Sequence, residues 1–147
     1  MNNLTPLEVV EKLRIALETR KNDEFIDQFA DDGVFEMPFA MEGQKSKYEG
    51  IAEIRERFGA ISAMGQILEI NKVGVTITEG ADPEVIIAEF TAEGKSKKTD
   101  LPFNIASSIA VIRVRNGKVI HYKDFPNSLR FMQVAGTLKQ FAESQSN

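Results

Sequence analysis

Hydrophobic residues recur every three or four positions through most of the first 60 residues and every second position through most of the remainder. Helices followed by sheet are therefore predicted. Thr5-Pro6-Leu7-Glu8 reads as a capping box with proline at the first helical position, and Val9, Val10, Leu13 and Leu17 carry one apolar stripe onward to Lys21-Asn22-Asp23. Phe25, Ile26 and Phe29 mark a short second helix that Asp31-Asp32-Gly33 ends, after which Phe35, Met37 and Phe39 alternate with Val34, Glu36 and Pro38 as a strand. Gly50 opens a third helix whose apolar side is Ile51, Ile54, Phe58 and Ile61, with Glu53, Arg55, Glu56 and Arg57 on the remaining surface.

Four strands are predicted next: Ile70 to Thr78, Val85 to Glu93, Phe103 to Arg115 and Lys118 to Phe125. Asn116-Gly117 joins the last two and is a strong two-residue hairpin signal, because both central residues of a type I′ turn need positive φ. A closing helix is predicted from Leu129 through Phe141, with Glu143 to Asn147 frayed. Antiparallel meanders in place of βαβ units exclude a dinucleotide-binding sheet, and no internal repeat or linker divides the chain. The fold class is α+β, a single domain over residues 1–147 with three helices packed on one strongly bent, mostly antiparallel sheet.

Charge and composition remove several functions. Eighteen Lys and Arg against 22 Asp and Glu leave a net charge of -4, so no cationic excess exists to neutralise nucleic-acid phosphates. With no cysteine and one histidine, thiolate nucleophiles, disulfides and multi-histidine metal sites are excluded. The N-terminal Met-Asn-Asn-Leu-Thr-Pro runs directly into the first helix, and no segment approaches the ~20 apolar residues of a membrane span. A cytoplasmic protein without a leader, membrane contact, metal or cofactor is the expectation.

The order of elements and several strings resemble the nuclear transport factor two superfamily, in particular its SnoaL-like polyketide cyclase branch. The strings are Phe29-Ala30-Asp31-Asp32-Gly33, the Gly50-led helix, and Asn116-Gly117-Lys118-Val119 followed by Tyr122-Lys123-Asp124-Phe125. Tyr122 to Asn127 is also similar to the closing strand of the phenazine-biosynthesis A/B proteins. The resemblance implies a cone formed by bent sheet and helices, an apolar small-molecule pocket and a homodimer. Ile15, Met37 and Ile109 stand where it would put the ketosteroid isomerase tyrosine and two aspartates, so that enolisation set is absent. Glu89 and Thr91 replace the Arg and first Asp of limonene-type epoxide hydrolases. The acid/base aspartate of SnoaL-like cyclases maps onto Asp124, and Arg57 onto a helix position where phenazine-type relatives carry a histidine. Within its Glu-Arg-Glu-Arg run, Arg57 reads as a surface salt-bridging residue.

Counting outward from Asn116-Gly117 without interruption sets Ile109 opposite Asp124 and Val111 opposite Tyr122. Ile105, Ile109, Val111, Ile120, Tyr122 and Asp124 then share one face, and Ala110, Ile112, Val114, Val119, His121 and Phe125 the other. A carboxylate among aliphatic side chains would be desolvated and its pKa raised, which suits proton transfer near neutral pH. Asp124, with Tyr122 as hydrogen-bond donor and Glu89 as a second pocket acid, forms the candidate catalytic set. Phe35, Met37, Phe39, Phe58, Ile105, Ile109 and Val111 form the candidate wall for an apolar, ring-containing ligand. Alternative readings stand beside these: Asp124 as a turn cap or partner of Arg130, the Phe and Met residues as plain core, Glu89 on a solvated face, and a non-catalytic binding or scaffold protein.

Overall fold

The computed structural model describes residues 3–64 and 67–145, with side chains described for 3–59 and 67–145. Its elements are α1 (Pro6–Thr19), α2 (Asn22–Ile26), β1 (Phe29–Glu36), β2 (Lys47–Glu49), α3 (Ile51–Met64), β3 (Leu68–Glu79), β4 (Val85–Ser96), β5 (Pro102–Arg115), β6 (Lys118–Pro126), α4 (Ser128–Ala135) and α5 (Leu138–Gln145). The strands make one open six-stranded sheet in the order β2-β1-β6-β5-β4-β3. Every pairing is antiparallel except that of β1 with β6. No described helix is long and apolar enough to cross a membrane.

The capping box forms: the Thr5 amide donates to Glu8 at 3.0 Å and the Glu8 amide to the Thr5 hydroxyl at 3.2 Å. With its start fixed, α1 buries Val9, Val10, Leu13 and Ala16 against Ile86, Ala88, Phe90, Ala110, Ile112, Val114 and Val119 in the main core. α1 also guards the exposed edge of the sheet. The Val73 amide of β3 donates to Glu18 at 2.9 Å, and the Val73 carbonyl accepts from Arg14 at 2.9 Å. Two edge groups open to pairing with another chain are thereby satisfied within the molecule. Arg14→Ala should lower stability by about 1–3 kcal/mol, because it strips a charged donor from a part-buried carbonyl and leaves Glu18 without its cation. Urea denaturation checks this, and a loss no larger than that of exposed Lys139→Ala would show the edge contact to be dispensable.

Several element boundaries differ from the sequence pattern. Asp31-Asp32-Gly33 does not end a helix but lies within β1, which starts at Phe29 and changes register against β6 between Phe29 and Val34. β1 stops at Glu36, so Phe39 lies beyond it, 81% exposed and packed edge-on against Phe125 with ring centroids 4.9 Å apart. The short strand β2 was not predicted. The closing helix is two helices broken at Gly136, so the described residues form five helices where three packed helices and a closing one were predicted. Ile61's side chain and the last residues of the tail, Ser146 and Asn147, lie outside the described residues.

The Asn116-Gly117 turn forms as predicted, with φ of 52° and 76° and Arg115 opposite Lys118. Three bulges then bend the sheet. Each leaves one residue unpaired: Asn71 in β3, Ser107 in β5 and Ile120 in β6. An extra residue in one strand breaks the alternation of faces and increases local twist. Phe103, Ile105 and Ser107 therefore point to the helix-covered side before the β5 bulge, and Ala110, Ile112 and Val114 after it.

Candidate functional site

β6 decides which side chains enter the interior. Val119 is fully buried; the bulge at Ile120 resets the count, so Tyr122 and Asp124 follow Val119 onto the helix-covered face. Tyr122 lies opposite Ile112 and Asp124 opposite Ala110, and both partners are fully buried. The predicted pairing with Ile109 and Val111 is corrected by that one residue. Ile109 is 46% exposed and Val111 half-buried on the outer face, so neither can line a chamber with Asp124. Glu89, which alternates with buried Ala88 and Phe90, is likewise exposed on the outer face. It is not a second acid beside Asp124.

The remaining predicted wall divides in two. Phe35 and Phe58 are buried with Phe25, Phe29 and Tyr122 in one aromatic cluster. The Tyr122 ring stacks on Phe35 at 5.2 Å between centroids and 16° between planes, and meets Phe25 at 5.7 Å. These rings pack against one another in the interior beside α2 and α3. Ile105 belongs to a separate cluster with Ala92 and Phe103, against which Phe131 and Val134 of α4 pack. Asp124 thus lies one strand position beyond the aromatic cluster. Phe39, out on the surface, is not part of the wall.

Met37 is half-buried and its sulfur accepts from Arg57 Nη2 at 3.4 Å. Arg57 itself overturns the expectation of a surface salt bridge. It projects inward from α3; its Nε is buried with no hydrogen-bond partner, and among the described residues no carboxylate lies within 4.0 Å of its nitrogens. Its neighbours in the Glu-Arg-Glu-Arg run pair elsewhere, Glu53 with Lys45 and Arg55 with Asp23. The signal was in the sequence: Ile54, Arg57, Phe58 and Ile61 are spaced i, i+3, i+4 and i+7, so the arginine occupies the apolar stripe.

Burial pushes the Asp124 carboxyl up to about 7, and the positive charge of Arg57 pulls in the opposite direction. An acid poised there can both take and give a proton at neutral pH. Burial, reinforced by the negative charge of Asp124, raises Tyr122 well above the usual phenol range, so its hydroxyl keeps its proton. The only histidine lies on the other side of the sheet, where His121 Nε2 meets Glu36 Oε1 at 2.9 Å, as the alternation of β6 predicts. An open hollow at the far end of β6 is lined by charged side chains including Lys12, Glu24, Asp27 and Lys118. It is distant from Asp124.

A bent, helix-covered sheet of this strand order places the molecule among the ketosteroid isomerase-like folds. A model of the SnoaL-like domain matches residues 10–122, and the chain belongs to that family. An uncharacterized PhzA/B-like protein of Pseudomonas aeruginosa is 32% identical over 137 residues, which is 92% of either chain. A crystal structure from Bacillus subtilis, provisionally assigned as an isomerase, superposes with a TM-score of 0.74 at 27% identity, covering 89% of this chain and 92% of that one. The fold is shared with TerC, crystallised with polyporic acid, at a TM-score of 0.68 and 15% identity over 89% and 98% of the two chains.

Proposed function

We propose that the protein binds an apolar, ring-containing small molecule beside Asp124 and performs cofactor-free proton transfer on it, as a cyclase or isomerase. The observation that carries this reading is the Asp124 carboxyl, held on an apolar inner face and titrating at about 7. As a base, the carboxylate would remove a proton from carbon next to a carbonyl, leaving the electron pair on the enolate oxygen. The protonated Asp124 would return that proton to another carbon in an isomerisation. In an aldol-type cyclisation the enolate carbon would attack a second carbonyl, and Asp124 would protonate the new alkoxide. Tyr122, two residues earlier on the same face, is the neutral donor available to orient the substrate oxygen. The isomerase assignment of the Bacillus structure and the polyporic acid crystallised with TerC support small-molecule chemistry in this fold.

A second reading, a non-catalytic ligand-binding or dimeric scaffold protein, is favoured by the packed aromatic cluster and by apolar side chains on the outer face, among them Ile109 and Phe39. Thermal shifts against a panel of hydrophobic ring compounds separate the readings, because a ligand of the native state alone raises its melting temperature. Binding of a compound at a hundred times its Kd should move the melting point by several degrees. Any turnover of such a hit should disappear in Asp124→Asn while folding is retained. Turnover surviving that substitution would remove Asp124 from the mechanism; binding without turnover, together with a dimeric sedimentation coefficient, would favour the scaffold.

A further inference from the structure

The Arg57 guanidinium is a costly group for this fold to keep. An arginine inside an apolar stripe gives up hydration, and that cost is normally offset by a carboxylate or by carbonyl acceptors. Among the described residues its one hydrogen bond is to a thioether sulfur, a weak acceptor, and Nε has none. An apolar side chain would serve packing at this position better. Asp124 is close enough for the arginine's charge to reach it, yet the two do not form an ion pair: no carboxylate oxygen lies within 4.0 Å. Cation and acid therefore lie near one another without forming a pair.

We propose that Arg57 is the anion-binding residue of this site and that its ligands are ring compounds carrying an oxyanion, a carboxylate or an acidic enol or phenol. The guanidinium fork offers the Nε and Nη donors that such an oxygen accepts, while Asp124 stays free for the proton. The inference rests on the reading of the Asp124 face as a ligand site, and it makes Arg57 the residue that selects acidic rings over neutral ones.

The test compares 2-naphthoate with its neutral isostere 2-naphthamide by calorimetric titration at pH 6, where Asp124 holds its proton. Wild-type protein should bind the acid at least tenfold more tightly than the amide, the scale of a charge-assisted hydrogen bond. Arg57→Met should abolish that ratio by weakening the acid far more than the amide, a pattern that loss of packing alone would not produce. Arg57→Lys should retain part of the preference, since it keeps the charge without the planar fork. If Arg57→Met fails to fold, the wild-type ratio and Arg57→Lys decide. Equal affinity of wild type for both probes, or a preference that survives Arg57→Met, would overturn the role of Arg57 and leave the ligand site standing. Failure of both probes to bind would overturn both.

Discussion

Replacing Asp124 with asparagine is expected to stabilise the protein above pH 7 and to have little effect at pH 4. An unfolded aspartate loses its proton near its ordinary 3.8, whereas the folded carboxyl keeps it to about 7. Between those values the folded chain binds the extra proton, so its stability falls as pH rises and levels off once the folded group has ionised. The full displacement corresponds to up to about 4 kcal/mol. Asparagine never ionises, so the variant lacks this slope. Other acids act equally on both proteins and cancel in the difference. Urea denaturation of the two proteins at pH 4, 5.5, 7 and 8 reads it directly, and a difference that does not change with pH would show that Asp124 is solvated in the folded chain.

The second large effect lies in the backbone. Gly94 of β4 faces Ile70 beside the Asn71 bulge, and a Cβ there would run into the Glu69 carbonyl, with the Ile70 Cα only 3.0 Å away. Both obstacles are main chain and cannot rotate aside, so β3 and β4 must separate where they pass under the Phe103 cluster. Gly94→Ala should therefore cost about 3 kcal/mol or more. Gly59→Ala is the control: a Cβ on that face of α3 meets nothing within 4 Å, and the helix should gain up to about 1 kcal/mol. Equal melting temperatures for the two variants would contradict the close approach at Gly94.

Local signals were legible wherever one short stretch determines its own shape. The Thr5–Glu8 box, the α1 stripe, the Asn116-Gly117 turn and the alternation of the late strands all appear in the fold. The common face of Tyr122 and Asp124 was readable for the same reason, since residues two apart on a strand project together. What lay opposite them was not, because the unpaired residues at Ser107 and Ile120 are set by bending of the whole sheet. Neither serine in a strand nor isoleucine beside a turn marks a bulge. Ile109 and Val111 went to the wrong side through the unpaired Ile120, whereas Glu89, offered as a pocket acid from the alternation of its own strand, took the solvated face that the same pattern left open. Arg57 was misassigned for a different reason: its charged neighbours outweighed its helical spacing.

The unpaired Ile120 also bears on how relatives of this chain are to be compared. A hairpin of the same length in which Ile120 took a regular place in the ladder could keep its turn, yet it would present His121 and Lys123 inward in place of Tyr122 and Asp124. Formation of the bulge thus sets the polarity of the inner face as strongly as residue identity does. In an alignment, a gap of one position at Ile120 joins proteins that keep the same inner face when the bulge is lost with the residue, whereas equal length without the bulge exchanges the two faces. Functional residues should be transferred among such sequences by their partner across the ladder and not by their count from the turn.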